Sequence, residues 1–317
     1  MTLALIDMGS NTIRLSVYAI GQEARTLRSD DYAEKIDDLG DFARLITKKV
    51  NAGLAEYVDD DNCLSEDGIE TATNALRYLL RIVDNLAIDE TRIFATASLR
   101  NVDNCKEARA AIEQAIGHPI EILSSEEEAL LGFSSFKLDC PMSEGVMCDI
   151  GGGSTEVVVF KDNEPVCLES MPIGSLKLFK RKVKGIKPTA SERKAIRKQT
   201  DSELDKLGFK DPKPCKMLCG IGGTSRAVLK LVNAAKKRSP LEREFTAKEC
   251  GKLLDFLCSG DSGARELILR TAPDRIHTIV PGLIVLYAIV ERFGVHRLHI
   301  SRYGVREGYV SHRILGR

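Results

Sequence analysis

The segment ALIDMGSNTIRLSVY at residues 4–18 decides the fold, because its pattern recurs in VMCDIGGGSTEVVVF at residues 146–160. Both segments read as an apolar strand that ends in an aspartate, a turn of small residues, and a second apolar strand. Asp7 and Asp149 occupy the same place in the two segments, which gives an offset of 149 − 7 = 142 residues. Internal similarity of this kind indicates a duplicated unit. The sequence therefore predicts two related domain cores, each with a strand–turn–strand hairpin facing a shared cleft.

Short apolar stretches alternate with longer amphipathic ones along the chain, which is typical of an α/β protein. Strands are predicted at residues 3–7, 13–19, 92–95, 120–123, 145–149, 156–160, 216–218 and 297–300. Helices are predicted at residues 66–83, 106–116, 126–136, 191–206, 225–234, 247–258 and 281–293. The domain boundary is predicted near Ser124. The first domain then comprises residues 1–124 and a C-terminal helix at 304–317, and the second comprises residues 125–303.

The composition is that of a globular protein without overall charge. The 317 residues suffice for two domains, and 46 Lys and Arg balance 46 Asp and Glu. A neutral chain gives no reason to expect nucleic acid or a membrane as partner. The N-terminus does not read as a secretory signal, and the longest apolar run, at 282–290, is far shorter than the ~20 residues that span a bilayer. Nine cysteines without paired spacing fit neither a disulfide framework nor a zinc site. We therefore expect a cytoplasmic protein.

The turns of the two hairpins have the features of phosphate-binding loops. Gly9-Ser10-Asn11 and the GGGST stretch at 151–155 lack bulky side chains, so their backbone N–H groups can approach phosphate oxygens closely. The carboxylates of Asp7 and Asp149 repel phosphate, but a Mg²⁺ ion held between carboxylates and substrate oxygens removes that conflict. One such turn alone is more often a plain tight hairpin. The paired occurrence, each behind an aspartate, favours phosphate binding.

Two further stretches carry weaker signals. The CGIGGTS stretch at 219–225 follows a predicted strand and opens a helix, whose N–H groups and partial positive charge attract anions. It is neither a Walker motif nor a GxGxxG fingerprint, and a purely structural turn stays open as the alternative. Residues 177–198 contain ten basic residues and one acid. They form either a solvated helix face or an electrostatic guide for an extended polyanion.

Seven motifs in a fixed order closely resemble those of the exopolyphosphatase and guanosine pentaphosphate phosphatase family. They are IDMGSN (6–11), ATASLRNVDN (95–104), ILSSEEEALLGF (122–133), CDIGGGSTE (148–156), MPIGSLKL (171–178), GIGGTSRAV (220–228) and ISRYGVREG (300–308). The resemblance covers nearly the whole chain. It implies the duplicated actin-like α/β fold of acetate and sugar kinases, heat-shock chaperone ATPases and actin, with two domains and an interdomain cleft. It also implies a short family member without the additional C-terminal helical domains, and a homodimer.

The resemblance implies roles for individual residues. Glu128 matches the family's water-activating glutamate, and Arg100 matches an arginine that holds substrate phosphate. Metal-binding positions for Mg²⁺ or Mn²⁺ are matched by Asp149, Glu156 and Asp7. Phosphate-contacting positions are matched by Ser10, Asn11, Gly152, Gly153, Ser154 and Thr155. The third glycine-rich turn adds three predicted phosphate contacts from its place at a helix start, namely Gly222, Gly223 and Thr224.

The predicted activity is release of terminal orthophosphate from inorganic polyphosphate, guanosine pentaphosphate, or both. Magnesium-assisted in-line attack by a water held at Glu128 suits phosphoryl transfer, in which positioning and charge neutralisation supply most of the acceleration. The chain departs from the family at Leu130, where an arginine is usual, and at Ser125, where a glycine is usual. Residues 35–40 place two aspartates near the expected phosphate path. The alternatives are a kinase of the same fold and a nucleotide- or polyphosphate-binding sensor with weak hydrolysis.

Overall fold

The structure, a computed structural model, describes residues 1–26, 37–38, 41–140, 142–209 and 215–317. The chain separates into two compact units, residues 1–124 and residues 125–317. Each unit contains a six-stranded mixed sheet. Apart from a two-residue strand, the stretch at 35–40 that departs from the family pattern lies outside the described residues.

The first unit is built on one sheet with helices packed against it. Its strands are β1 (Thr2–Met8), β2 (Thr12–Ile20), β3 (Asp37–Asp38), β4 (Phe42–Asn51), β5 (Glu90–Ala95) and β6 (Ile120–Ile122). Its helices are α1 (Gln22–Thr26), α2 (Glu66–Asn85), α3 (Ala97–Arg100) and α4 (Cys105–Ile116), and a 3₁₀ turn covers Leu54–Tyr57. The sheet order is β3-β4-β2-β1-β5-β6.

The second unit has more helices around a similar sheet. Its strands are β7 (Gly145–Ile150), β8 (Thr155–Lys161), β9 (Glu164–Met171), β10 (Met217–Ile221), β11 (Glu244–Thr246) and β12 (Arg297–Ile300). Its helices are α5 (Ser125–Phe136), α6 (Ser175–Lys182), α7 (Ala190–Lys206), α8 (Gly222–Lys236), α9 (Ala247–Cys258), α10 (Ser262–Thr271), α11 (Ile279–Arg292) and α12 (Val305–Tyr309). A 3₁₀ turn covers Pro273–Arg275, a π-helical turn covers Val310–Ile314, and the sheet order is β11-β12-β10-β7-β8-β9.

The two sheets repeat one topology. The order β4-β2-β1-β5-β6 corresponds strand for strand to β9-β8-β7-β10-β12, with the same parallel and antiparallel pairings. The correspondence extends to an irregularity, because the register shifts between Val17 and Tyr18 in β2 and between Val159 and Phe160 in β8, positions 159 − 17 = 142 residues apart. Such bulges are positioned features of a sheet. The duplicated core predicted from the sequence is confirmed.

Helix α2 shows why the first unit packs as it does. Its N-cap is Ser65, whose Oγ accepts a hydrogen bond from Gly68 N at 3.2 Å. Buried apolar side chains recur every three or four residues, at Ala72, Leu76 and Leu79 among others, which places them on one face. That face and α4 cover the apolar side chains of β1, β2 and β5. Each fully buried leucine contributes roughly 1.5–3 kcal/mol to folding.

In the second unit, helices cover both faces of the sheet. One core joins α7, α8, α9, α10 and the almost wholly apolar α11 to the strands. Helix α5 belongs to a second core, in which Phe133 and Phe136 pack against Phe160 of β8. A capping box formed by Thr189 and Glu192 starts α7. Within the part of the chain that the structure describes, no helix has the length and apolar character needed to cross a bilayer.

The C-terminal residues are placed differently from the prediction. Residues 304–317 belong to the second unit, where α12 packs on α5. At this contact a Cβ added to Gly308 would lie 1.7 Å from the Leu131 carbonyl oxygen, so the two backbones touch. Glu307 is buried and accepts a hydrogen bond from Gly304 N at 2.9 Å, which caps α12. The prediction that 304–317 joins residues 1–124 is therefore wrong.

Candidate active site

Two carboxylates oppose each other on the hairpin of the second unit. Asp149 in β7 is the cross-strand partner of Glu156 in β8. Glu156 is buried, and Ser170 of β9 donates its hydroxyl to Glu156 Oε1 at 3.0 Å. Directly opposed residues in an antiparallel pair have Cβ atoms about 4.5–5.5 Å apart, and like charges there destabilise the sheet. The pair therefore favours binding of a cation.

The turn that joins β7 to β8 presents backbone N–H groups. Its own hydrogen bond runs from Gly151 N to Ser154 O at 3.0 Å. The Gly152 carbonyl is occupied from the other side, because it accepts from Lys177 N at 2.9 Å at the start of α6. The N–H groups of Gly152 and Gly153 donate to no acceptor among the described residues. Adjacent backbone amides in this state can bind an anion.

The third glycine-rich turn lies against the same aspartate. Gly222 begins α8 at φ +76°, and a Cβ there would lie 1.9 Å from Asp149 Oδ1. At the next residue, Gly223, an added Cβ would lie 2.2 Å from Nη2 of Arg275. The turn therefore brings a carboxylate and a guanidinium to the N-terminus of a 15-residue helix. The positive end of the helix dipole adds to the attraction for an anion there.

Two arginines that the sequence analysis did not single out face this site. Burial lowers the pKa of Arg275, and the negative charges of Asp274 and Asp149 oppose that shift. Burial likewise lowers the pKa of Arg226 to about 10, again opposed by Glu307 and Asp149, so Arg226 stays cationic at neutral pH. Tertiary packing brings both arginines to this site. In the sequence neither belongs to the repeated segment, and no local motif marks Arg275.

Helix α5 brings Glu128 to the same edge of the sheet. Near the end of α5, Phe136 packs on Phe160, whose strand partner is the first residue of β7, with ring centroids 4.7 Å apart. Earlier in α5, a Cβ added to Gly132 would lie 3.0 Å from Cδ1 of Ile221, the last residue of β10. The helix therefore starts at the carboxyl ends of β7 and β10. Glu128 lies about one turn before Gly132 and is 9% exposed, at the end of the sheet that carries the opposed carboxylates.

The hairpin of the first unit has the same backbone and a different charge pairing. Asp7 in β1 opposes Arg14 in β2. The turn hydrogen bond runs from Gly9 N to Thr12 O at 3.0 Å, as in the second hairpin. The Ser10 carbonyl accepts from the backbone N–H of a residue in the 3₁₀ turn after β4, as the Gly152 carbonyl does from α6.

Arg100 lies at the same end of the first sheet. It ends α3, which follows β5, and Ser98 of α3 donates its hydroxyl to the Met8 carbonyl at the end of β1. Arg100 Nη1 donates to the Leu123 carbonyl at 2.9 Å. Four of the predicted site residues thus lie in the first unit, and the others lie in the second unit. The first group is Asp7, Ser10, Asn11 and Arg100.

Thr155 and Thr224, two of the predicted phosphate contacts, bury their side chains. The Thr155 hydroxyl donates to the Ile173 carbonyl at 2.7 Å, and the side chain is inaccessible. Its proton is therefore committed to a protein acceptor, and the phosphate contact at Thr155 stays a prediction. Thr224 is also buried, with its methyl group against Gly282 of α11. Its hydroxyl has no hydrogen-bond partner among the described residues, and only its backbone N–H belongs to the open start of α8.

The carboxylates suit a hard divalent ion that keeps part of its own shell. Nowhere in the described ranges do three His, Cys, Asp or Glu side chains form a metal cluster. Mg²⁺ is usually bound through one or two carboxylates, with water and substrate phosphates completing the octahedron. Asp149 and Glu156 fit that mode, and they fit Mn²⁺ in the same way. Asp7 opposes an arginine, which already supplies a compensating charge.

Comparisons with known proteins identify the family and similar chains. A family model described as the Ppx/GppA phosphatase family matches residues 33–315. Exopolyphosphatase 1 of Mycobacterium tuberculosis is 23% identical over 99% of this chain and 88% of its own length. A guanosine-5'-triphosphate,3'-diphosphate pyrophosphatase of Aeromonas hydrophila is 25% identical over 97% of this chain, which spans 58% of that relative's length.

Solved structures share the fold over the full chain. A PPX-GPPA enzyme of Aquifex aeolicus has a TM-score of 0.73 at 25% identity, covering 98% of both chains. An exopolyphosphatase of Cytophaga hutchinsonii has a TM-score of 0.82 at 19% identity, covering 100% of this chain and 98% of the other. The actin-like fold and the enzyme class predicted from the sequence, a phosphoanhydride hydrolase, are confirmed. The chain belongs to the Ppx/GppA phosphatase family.

Proposed function

We propose that this protein releases terminal orthophosphate from inorganic polyphosphate, from guanosine pentaphosphate, or from both. Relatives named exopolyphosphatase and guanosine-5'-triphosphate,3'-diphosphate pyrophosphatase supply the two substrate classes. The observation that carries the proposal is one edge of the second sheet, where two opposed carboxylates, two glycine-rich turns and a half-buried arginine meet. Such an edge can position a polyphosphorylated substrate and neutralise its charge, which phosphoryl transfer chiefly requires.

Glu128 holds the attacking water in this proposal. Its carboxylate accepts a hydrogen bond from the water and orients it for in-line attack on the terminal phosphorus. Of the three consecutive acids at the start of α5, Glu126 is exposed and Glu127 pairs with Arg313 at 2.5 Å, whereas Glu128 is buried. A buried base holds one water in place and limits competition from bulk solvent, which supports its assignment over its two neighbours.

The glycine turns and Arg275 bind the phosphate groups. The free N–H groups of Gly152 and Gly153 donate to non-bridging oxygens of the terminal phosphate, and the start of α8 faces the next group. Arg275 balances the negative charge that builds up on the leaving group. A divalent ion would be held by Asp149 and Glu156 and would reduce the repulsion between the charged substrate and the incoming water.

The test is release of inorganic phosphate from polyphosphate, guanosine pentaphosphate and nucleoside triphosphates, with and without Mg²⁺. Glu128→Ala should lower kcat by at least about 10²-fold, because general-base catalysis contributes roughly 10²–10⁴-fold. Glu126→Ala is the matched control, an exposed acid on the same turn, and should keep wild-type turnover. Undiminished turnover by Glu128→Ala on every accepted substrate contradicts the assigned base.

The same assay separates the alternatives. A kinase of this fold consumes a phosphoryl donor only when an acceptor is present. A sensor binds polyphosphate or nucleotide in a calorimeter and releases no phosphate. Either result with the wild-type protein contradicts the proposed hydrolysis. The homodimer, the cytoplasmic location and the phosphate contacts of the first unit stay predictions.

A further inference from the structure

Two free cysteines of the second unit lie side by side in the core between α5 and the sheet. Cys140 follows the turn that ends α5, where its N–H donates to the Phe136 carbonyl at 3.1 Å, and Cys219 lies in β10. Both belong to the core formed around Phe136 and Phe160. The largest influence on the pKa of Cys140 is a hydrogen bond with the Cys219 thiol, which lowers it. The two thiols are therefore neighbours, although 219 − 140 = 79 positions separate them in the sequence.

Hydrogen bonds hold the backbone beside both cysteines. Ser301, directly after β12, donates its hydroxyl to Asp139 Oδ1 at 2.5 Å, and its N–H donates to the Gly220 carbonyl at 3.0 Å. Ser301 thus joins the residue before Cys140 to the residue after Cys219. The neighbouring N–H of Arg302 donates to Asp139 Oδ2 at 2.9 Å, which fixes the carboxylate from a second side. The fold itself therefore brings the two thiols together.

The two thiols differ in their access to solvent. Cys140 is 9% exposed, whereas Cys219 is inaccessible. Burial raises the pKa of Cys219 well above its usual range, and the hydrogen bond with Cys140 raises it further. The thiolate is the nucleophile in thiol chemistry, and oxidant-sensitive cysteines are accessible thiols beside a second, resolving cysteine. Cys140 is therefore the thiol that meets a small oxidant first, and Cys219 is placed to react with the product.

We propose that Cys140 and Cys219 form a site of reversible oxidation, at which hydrogen peroxide converts the two thiols into a disulfide. The Cys140 thiolate attacks one peroxide oxygen, which gives a sulfenic acid and releases hydroxide. The Cys219 sulfur then attacks the sulfenic sulfur, and the S–S bond forms as the hydroxyl group leaves. The two thiol protons and the two hydroxide ions make two waters. The peroxide takes up the two electrons that the sulfurs lose, and a dithiol reductant reverses the reaction.

The disulfide would draw the end of α5 toward β10. A covalent S–S bond is about 2 Å long, shorter than a hydrogen bond between two thiols. Earlier in α5 no such approach is open, because Gly132 already packs on Ile221 of β10, where an added Cβ would lie 3.0 Å from Cδ1. The helix therefore turns about this contact, and Glu128, on the far side of Gly132 from Cys140, is displaced. For this consequence, which rests on the proposed function, we expect kcat to fall by about tenfold.

The test is to treat the folded, reduced protein with hydrogen peroxide and to map cross-linked peptides by mass spectrometry without reduction. The Cys140–Cys219 link should be the main disulfide and should disappear with dithiothreitol. Cys140→Ser should abolish it and leave Cys219 reduced. Cys219→Ala should stop the reaction at the Cys140 sulfenic acid, which dimedone traps. The matched control is Cys258→Ser, which removes a partly exposed cysteine of the same unit and should form the link as wild type does.

Disulfides spread over other cysteines, or a reduced Cys140 and Cys219 beside oxidised exposed thiols, would overturn the oxidation site. The wild-type peptide map decides this even where a variant fails to fold. Phosphate release by the oxidised and the re-reduced wild type measures the effect on Glu128, and kcat should fall about tenfold and then recover. An unchanged kcat in fully cross-linked protein contradicts the displacement of Glu128. If the wild type releases no phosphate from any substrate, the proposed function fails, and the peptide map still decides the oxidation site.

Discussion

The β1–β2 and β7–β8 hairpins are two copies of one backbone with different chemistry. Both keep the same turn hydrogen bond at 3.0 Å, the same register between the aspartate and its opposite residue, and a bulge at the equivalent position. In both, a carbonyl of the turn accepts N–H groups from the element that follows the third strand. The backbone geometry of a phosphate-binding turn is therefore a property of the fold and is present twice.

The side chains of the two hairpins differ in charge. In the first hairpin Asp7 opposes Arg14, so the charges balance within the sheet. In the second, Asp149 opposes Glu156, and two like charges face each other. The element that follows differs as well, because the 3₁₀ turn of the first unit contains an acid, whereas α6 carries three basic residues in its last turn. The second copy thus combines two opposed carboxylates, which can bind a cation, with basic residues that can attract an anion.

Removing the charge of each aspartate in turn is the strongest test of the difference between the two hairpins. Asp149→Asn should lower kcat by about 10³-fold, because a bound divalent ion supplies several kcal/mol and each 1.4 kcal/mol is about tenfold. Asp7→Asn should lower kcat by roughly tenfold, the scale of an outer contact. Phosphate release over a range of Mg²⁺ concentrations measures both. Equal losses would show that the charge difference between the hairpins does not assign the metal.

Much of this comparison was predictable from the sequence, because it depends on local pattern. The repeat at an offset of 142 residues predicted the paired strands, the turns and the opposed positions. Every predicted helix and strand overlaps an observed one. Strands β4 and β9 were missed, since most of their residues are exposed or half-buried and neither has an apolar run. Each pairs with the second strand of its hairpin, so the repeat would have located one once the other was known.

What the sequence could not provide is contact between distant segments. Arg275 reaches the site only because a short turn before α11 packs on Gly223. The wrong placement of residues 304–317 has the same origin, since a backbone contact between Gly308 and Leu131 decides it. The Thr155 hydroxyl donates to the Ile173 carbonyl, an acceptor beyond another strand that no local pattern reveals. Motifs identify which residues matter, and packing decides which of their atoms are available.

Replacing the residue opposite each aspartate should have a smaller effect, which concerns the magnesium dependence of the activity. Glu156→Gln keeps an acceptor for Ser170 but removes one carboxylate, so the Mg²⁺ concentration at half-maximal activity should rise roughly 10–100-fold. Saturating Mg²⁺ should restore most of kcat. Arg14→Gln, the equivalent change in the first hairpin, should leave the magnesium dependence unaltered. A shift of the half-maximal Mg²⁺ concentration in both variants would mean that both hairpins contribute to binding the metal.

Displacing Glu128 while both hairpins stay intact tests whether the second unit carries the chemistry. Gly308→Ala forces α12 away from α5, at a cost of about 1–3 kcal/mol in the free energy of unfolding, and displaces Glu128. We expect kcat to fall by about tenfold or more, since small misplacements of catalytic groups are costly. The control is Gly304→Ala in the same segment, where the nearest heavy atoms to the added Cβ are 3.9 Å away. Denaturant unfolding and phosphate release should both be near wild type there.

The smallest effect concerns helix caps, one in each unit and both remote from the hairpin chemistry. Ser65→Ala removes the cap of α2, and Thr189→Ala removes the capping box of α7. Each should lower the free energy of unfolding by about 1 kcal/mol and the Tm by roughly 2–4 °C, with kcat unchanged. Calorimetry shows whether the two losses fall in one unfolding transition or in two. A fall in kcat with the Thr189 variant alone would mean that the position of α6, which precedes α7, depends on that cap.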